Sequence, residues 1–279
     1  MIVRFPAAAL LAAALLATVA ASPNASPPAQ RIVAMIPSVT EDLFAIGAGP
    51  RVVAVSAFTD YPPSAARLPA VVSAGSIDAE RIVALHPDLA IGIPAQRTFA
   101  AELARAGVRS VLLPDDAYDD IARNLRTIGR LTGHVSEANA LIERLQARTA
   151  ALRRTVRSRA RPPTAFVVLG AAPIFTVGRG SYIANLIALA GGRNAADDVT
   201  LPYARYSGET LLARQPDVLI VDPAVHLEAV LDRAPWNGLR AVREHRIFTL
   251  RDPAILERPG PRYNDGLAWL IAAFAEVPA

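Results

Sequence analysis

Two glutamates occupy equivalent places in a pattern that the chain contains twice. The segments 80–91 and 209–220 each begin with a glutamate, continue through apolar residues and an alanine to Pro-Asp, and end in an apolar run. This pattern predicts a short helix, a turn and a buried strand. Glu80 and Glu209 then lie in the first turn of a helix, where a carboxylate favours the helix dipole by about 0.3–1 kcal/mol. The repeat also predicts two structurally equivalent units.

The composition excludes several kinds of reactive site. The chain has no cysteine, so disulfides, thiolate nucleophiles, cysteine zinc sites and a lipid-modified N-terminal cysteine are not expected. It also has no lysine, which excludes a Schiff base and a P-loop lysine. The four histidines lack ligand spacing, and no Gly-x-Ser-x-Gly or His-Glu-x-x-His motif occurs. We predict no catalytic residues and no metal site; the alternative is a secreted α/β enzyme whose carboxylates converge from distant loops.

The positive charge is modest and consists entirely of arginine. The formal net charge is +4 and the pI about 9.9. A nucleic-acid binder is expected to carry a larger excess on one face, so we predict no nucleic-acid partner. The densest basic segment, 148–161, is predicted to be the solvated end of a long helix.

The N-terminus has the features of an export signal. Residues 1–21 comprise a short segment with one arginine, an apolar run too short to span a membrane comfortably, and small residues ending at Ala21. We predict cleavage near Ala21 and a product outside the cytoplasm, which the family resemblance given below narrows to the periplasm; the alternative is an uncleaved anchor. Residues 22–30 are rich in proline, serine and alanine and are predicted to be a disordered lead-in.

The elements that must position the repeated segments form three parts. Residues 31–133 alternate short apolar runs with helical patterns, which predicts an N-terminal α/β lobe. Residues 134–161 carry an apolar stripe over more than twenty residues, which predicts a linker helix roughly 30–35 Å long. The α/β alternation then resumes over 162–279. We therefore predict two Rossmann-like lobes joined by one long rigid α-helix.

This organisation resembles the periplasmic binding proteins of ABC importers for cobalamin, ferric siderophores and haem. The motifs that carry the resemblance are Arg31-Ile-Val-Ala-Met-Ile-Pro-Ser-Val-Thr-Glu41, Thr59-Asp-Tyr-Pro-Pro63, the two Glu…Pro-Asp segments, Gly191-Gly-Arg-Asn194 and Glu257-Arg-Pro-Gly-Pro-Arg262. The resemblance implies a ligand cleft between the lobes, no cofactor of the protein's own, and an ABC importer permease dimer as the partner. The cobalamin-binding branch is the most similar, so the implied ligand is a cobalamin-type corrinoid; the alternative is a ferric siderophore or haem.

The resemblance also gives the two repeated glutamates a role. Glu80 and Glu209 match the family's docking glutamates, which implies that each meets arginines on one subunit of the permease dimer. Two equivalent carboxylates suit a two-fold symmetric partner. The local alternative is that both serve only the helix dipole.

The ligand-binding residues are expected in loops at strand ends, where α/β lobes usually hold ligands. The six candidates are Tyr61, Tyr203, Arg205, Tyr206, Asp252 and Arg258. Aromatic rings would supply platforms for a flat metal chelate, and arginine would stack on it or bridge its polar groups. In the haem alternative one of the three tyrosines is the iron ligand. The structural alternative is a tyrosine in a surface turn and a solvated Asp252–Arg258 pair.

Overall fold

The computed structural model describes residues 27–278, so the predicted signal peptide lies outside the described residues. The first lobe is a five-stranded sheet flanked by helices. Its strands are β1 (Ile32–Ala34), β2 (Val52–Ser56), β3 (Ala70–Val72), β4 (Leu89–Gly92) and β5 (Ser110–Leu112). Its helices are α1 (Pro37–Ala45), α2 (Ala79–Ala84), α3 (Arg97–Arg105) and α4 (Tyr118–Thr132), and α5 (Val135–Thr155) leads out of the lobe. The strand order is β3-β2-β1-β4-β5 and every pairing is parallel, so the loops after the strands meet at one edge.

The second lobe contains two sheets. Its strands are β6 (Thr164–Val168), β7 (Gly170–Ala171), β8 (Ile174–Val177), β9 (Arg193–Asn194), β10 (Tyr203–Arg205), β11 (Val218–Val221) and β12 (Ile247–Thr249). Its helices are α6 (Tyr182–Leu189), α7 (Gly208–Arg214), α8 (Arg240–Arg243), α9 (Ala254–Glu257) and α10 (Tyr263–Ala275). A parallel sheet of order β12-β11-β6-β9 confirms the predicted α/β lobe. The antiparallel sheet β10-β8-β7 was not predicted, because strands of two to four residues are too short to show an alternating pattern.

The repeated Pro-Asp has the same structural task in both lobes. Each repeat folds as a short helix, α2 or α7, followed by a strand, β4 or β11, that lies beside the first strand of its lobe. The carboxylate of Asp88 accepts the N–H of Gln30 at 2.7 Å and of Arg31 at 3.2 Å, at the start of β1. The carboxylate of Asp217 accepts the N–H of Thr164 at 2.8 Å, at the start of β6. Each aspartate therefore connects the start of its own strand to the start of the first strand of its lobe.

The linker helix is shorter than predicted at its C-terminal end. The prediction spans 134–161, whereas α5 ends at Thr155 and Val156 has extended backbone. The chain then crosses the end of α10, where the guanidinium of Arg159 donates to the carbonyls of Phe274 at 2.8 Å and Pro278 at 3.0 Å. Both carbonyls lie at or just beyond the C-terminal end of α10, so this segment packs on the end of a neighbouring helix instead of extending α5.

Helix α5 joins the lobes by packing on both. It lies along α4 of the first lobe and α10 of the second. At the second contact, the Thr149 hydroxyl lies 2.6 Å from the Tyr263 hydroxyl, and the Asn264 amide donates to the Leu145 carbonyl at 3.0 Å. The apolar core is continuous through both lobes and the linker. At 21 residues the helix is about 31 Å long.

The end of the predicted lead-in is attached to the first lobe. Ala29 is buried and its N–H donates to the Leu131 carbonyl at 2.8 Å. The disordered lead-in was predicted over 22–30, so its last residues differ from that expectation because their backbone finds partners in the lobe. Within residues 27–278, no helix has both the length and the apolar character needed to cross a membrane.

Candidate functional site

Ion pairs connect the two lobes at the edge where their strands end. Glu41 lies on α1 of the first lobe, and its carboxylate accepts from Arg258 at 3.1 Å and from Arg262 at 2.8 and 2.9 Å. Arg258 also binds the Asp60 carboxylate, and Arg262 binds Asp252 at 2.8 Å. We call these five side chains the interlobe network. They bring together residues that lie about two hundred positions apart in the chain.

Tyr61 lies against this network. The guanidinium carbon of Arg262 is 4.3 Å from the centroid of the Tyr61 ring, a cation–π geometry. The loop that carries Tyr61 is held a second time, since Arg258 donates to the Phe58 carbonyl at 3.2 Å. Tyr61 remains 44% exposed and Phe58 55% exposed. The loop after β2 is therefore fixed by arginines of the other lobe while its aromatic rings stay open to solvent.

We call the loop after β2, with Phe58 and Tyr61, the first wall of the candidate site. The second wall is one face of the antiparallel sheet in the second lobe. In its register Tyr203 pairs with Val177 and Arg205 pairs with Phe175, so all four side chains lie on the same face. Phe175 and Arg205 are exposed on this face and Tyr203 is half-buried. Backbone hydrogen bonds between β8 and β10 set the positions of these side chains.

Exposed large apolar side chains concentrate near these two walls. Six such residues occur in the described part of the chain, and Phe58, Tyr61, Phe175 and Leu201 are four of them. Leu201 precedes β10 by two residues and is 62% exposed. Clustered exposed apolar residues are typical of binding surfaces, whereas scattered ones need no explanation.

Carboxylates from both lobes surround Tyr203. Burial, together with Asp115 and Asp116 of the first lobe and Glu257 of the second, raises the pKa of Tyr203 to about 12. Burial and the neighbouring Asp222 carboxyl raise the pKa of Glu257 to about 7. Glu257 directly precedes Arg258 of the interlobe network in the chain, so this acidic group lies between the network and Tyr203.

The same burial acts on the first lobe's side of this region. Desolvation, followed by the charges of Asp116 and Asp120, raises the pKa of Asp115 to about 6. Burial is thus the main cause of the raised pKa of both Asp115 and Glu257. Within the described residues, no three histidine, aspartate or glutamate side chains are grouped so as to hold a metal ion.

The predicted docking glutamates take equivalent positions. Glu80 is the second residue of α2 and Glu209 the second residue of α7, and both are exposed. Each helix is capped by the preceding side chain: Asp78 accepts the N–H of Arg81 at 3.0 Å, and Ser207 accepts that of Thr210 at 3.3 Å. The structural equivalence is thus present, and the docking role stays a prediction.

The predicted ligand residues separate into three groups. Tyr61, Tyr203 and Arg205 lie on the two walls described above. Asp252 and Arg258 are engaged in the interlobe network. The alternative Asp252–Arg258 pair does not form, because Asp252 binds Arg262 and Arg258 binds Glu41 and Asp60. Tyr206 packs against Phe166 with ring centroids 5.3 Å apart and donates to Asp198 at 3.1 Å. Its ring therefore belongs to the packing of the second lobe.

Sequence reasoning missed Phe58, Phe175, Glu41 and Arg262. Glu41 and Arg262 were both inside motifs that the sequence singled out, and their opposite charges were the available signal. The two phenylalanines gave no signal, because exposure of an aromatic ring is a property of the folded surface.

Comparison with known proteins places this arrangement among binding proteins. A family model described as periplasmic binding protein matches residues 32–254. The vitamin B12-binding protein of Vibrio cholerae serotype O1 is 31% identical over 243 residues, which cover 86% of this chain and 87% of that protein. The crystal structure of a periplasmic vitamin B12 binding protein of Vibrio cholerae matches with a TM-score of 0.76 and 30% identity over 89% of this chain and 97% of that one.

A second solved structure is equally similar in fold. The periplasmic heme-binding protein of Roseiflexus, in its apo form, matches with a TM-score of 0.79 and 31% identity. The match covers 89% of this chain and 98% of that one. Both solved structures match the present chain over nearly its whole described length.

Proposed function

Because this chain belongs to the periplasmic binding protein family, we propose that it captures a cobalamin-type corrinoid between its lobes and delivers it to the permease of an ABC importer. The observation that carries the proposal is a set of four aromatic rings, three exposed and one half-buried, contributed by both lobes. Phe58 and Tyr61 come from the first lobe, and Phe175 and Tyr203 from the second. A flat macrocycle gains from burial between such rings, and a few polar groups then fix its orientation.

The charges favour a corrinoid over haem. Asp115, Asp116 and Glu257 supply carboxyl groups beside Tyr203, and Asp222 lies beside Glu257. Carboxylates accept hydrogen bonds from the amide groups at the edge of a corrin ring, whereas they repel the two carboxylates of haem.

Haem or a ferric siderophore is the second candidate cargo. Arg205 favours it, since its exposed guanidinium lies on the same sheet face as Phe175 and suits a carboxylate or hydroxamate oxygen. The similarity to the heme-binding protein of Roseiflexus supports the same alternative.

Docking on the permease falls to Glu80 and Glu209 in this proposal. Both are exposed at the second position of equivalent helices, so the two lobes offer matching carboxylates to a two-fold partner. Opposite charges across such an interface fix the register of docking and speed the encounter.

Export completes the proposal. Residues 1–21 direct the chain out of the cytoplasm and are removed near Ala21. The mature protein acts in the periplasm, holds no cofactor of its own and releases its cargo chemically unchanged. The relatives are named as binding proteins, which supports binding over a secreted α/β enzyme.

Titration with three cargo classes tests the proposal. The mature chain is titrated with cyanocobalamin, haemin and ferrichrome by calorimetry and absorbance, and bound cargo is then recovered and analysed. We expect one cyanocobalamin per protein, bound more tightly than the other two and recovered intact. Tighter haemin or ferrichrome binding would select the second candidate, and chemical conversion of the cargo would support the enzyme.

A further inference from the structure

In the interlobe network, one buried carboxylate of the first lobe binds two arginines of the second lobe. Glu41 is 1% exposed in its side chain, and it accepts three hydrogen bonds from two arginines of the other lobe. Arg258 and Arg262 are 18% and 16% exposed. Water therefore has little access to these pairs. Without Glu41, each arginine would keep only its solvent-exposed carboxylate partner, Asp60 for Arg258 and Asp252 for Arg262.

The same arginines hold the loop that carries the first aromatic wall. Arg258 binds the Phe58 carbonyl and the Asp60 carboxylate, and Arg262 stacks over Tyr61. Arg262 is oriented for this contact from two sides, by Glu41 and by Asp252. A bidentate pair with a carboxylate fixes the plane of a guanidinium, which in turn fixes the ring that stacks on it.

We propose that Glu41 is a positioning residue that sets both the spacing of the lobes and the orientation of Tyr61. Glu41 belongs to the first lobe and orients Arg262 of the second lobe. Arg262 in turn orients the ring of Tyr61, which belongs to the first lobe. A change in the angle between the lobes must then move this ring as well. The role of Tyr61 as a ligand platform rests on the proposed function. The role of Glu41 in setting the lobe spacing is independent of it.

The first test measures lobe spacing without cargo. The chain has no cysteine, so Ala101→Cys and Ala229→Cys place one spin label on an exposed position of each lobe. We expect Glu41→Gln to lengthen and broaden the distance distribution seen by pulsed electron paramagnetic resonance. Asp265→Asn is the matched control, because it breaks an exposed Arg148–Asp265 pair of 2.7 Å and should leave the distribution unchanged. An unchanged distribution in Glu41→Gln would overturn the assignment.

The second test separates spacing from orientation. Arg262→Lys keeps the positive charge but removes the planar group that stacks on Tyr61. We expect it to alter the distance distribution less than Glu41→Gln does, and both variants to bind cargo about tenfold or more weakly. Affinity is measured with whichever of cyanocobalamin, haemin and ferrichrome the wild type binds. Wild-type affinity in Arg262→Lys would contradict the role in orienting Tyr61.

The outcomes remain separable if one part fails. Circular dichroism first establishes that each variant folds; if Glu41→Gln does not, the distance and affinity of Arg262→Lys decide the inference. A wild type that binds none of the three cargoes refutes the proposed function. A longer interlobe distance in Glu41→Gln would still support the spacing role in that case.

Discussion

The two lobes share a framework but build their walls of the candidate site differently. In both, a helix with an exposed glutamate leads through Pro-Asp to a strand beside the first strand. The wall of the second lobe stands on an antiparallel sheet whose own backbone fixes Phe175 and Tyr203. The wall of the first lobe is a loop held by arginines from across the boundary. The features that the two lobes share suit a two-fold symmetric partner, whereas the features that differ between them suit a single cargo molecule.

The shared framework also differs in one measurable respect. Asp217 is 5% exposed and pairs with Arg161 at 2.9 Å and with Arg240, while Asp88 is exposed and binds backbone N–H groups. Burial alone would raise the pKa of Asp217, but hydrogen bonds from Thr164 and Arg161 outweigh it and hold that pKa below its usual value. The aspartate of this motif is therefore buried and paired with arginines in the second lobe, whereas it is solvated in the first.

The largest effect is expected from reversing both docking charges. Glu80→Arg combined with Glu209→Arg should reduce uptake of the cargo by about 100-fold or more, because like charges would then meet at both permease subunits. Cargo affinity in solution should stay at the wild-type value. Each single reversal should cause the same partial loss if the lobes dock equivalently.

Glu137→Arg is the control for that experiment. Glu137 is exposed in the first turn of α5, so its reversal opposes a helix dipole in the same way but lies outside the repeat. Uptake should be unaffected. Equal losses of uptake on reversing Glu137, Glu80 and Glu209 would show that Glu80 and Glu209 act only through the helix dipole.

The next largest effect separates the two Pro-Asp aspartates. Asp217→Asn should lower the free energy of unfolding by about 2–4 kcal/mol, because it leaves two arginines without their buried partner. Asp88→Asn should lower it by about 1 kcal/mol or less, since its carboxylate is solvated. Urea unfolding of both variants gives the two values. Equal losses would contradict the expected difference between Asp217 and Asp88 in their contribution to stability.

Truncation of the aromatic walls should weaken binding of the cargo. Tyr203→Ala and Phe58→Ala should each reduce affinity by about 10- to 100-fold in calorimetric titrations, because each ring is expected to bury against the ligand. Val135→Ala removes an equally exposed apolar side chain away from both walls and should have no effect. If only the second-lobe variant lost affinity, the first wall would not contact the cargo.

The smallest effect concerns the acidic side of the site. The pKa of Glu257 is raised from 4.5 to about 7 by burial and by Asp222, so between these pH values the folded chain keeps a proton that the unfolded chain releases. Stability should therefore fall as pH rises through this range. Glu257→Gln should flatten that slope and add about 1 kcal/mol at pH 8, with no change at pH 4. A slope equal to that of the wild type in urea unfolding would contradict the assignment.

Much of the framework could be predicted from local patterns. The strands β4 and β11 and the helices before them follow from Pro-Asp, and α5 follows from its apolar stripe. The site was only partly accessible, because Glu41 meets Arg262 across 221 positions and no local pattern encodes that pairing. The strand β8 is equally hidden, since four residues show too little alternation to predict that Phe175 faces outward.

The crystal structure of the mature protein with cyanocobalamin tests the central claim most directly. We expect one corrin ring between the loop after β2 and the face formed by β8 and β10, in contact with Tyr61 and Tyr203. Carboxylates of both lobes should lie within hydrogen-bond distance of its amides. A corrinoid bound to one lobe alone, or lobes packed so closely that no ligand enters between them, would contradict the account.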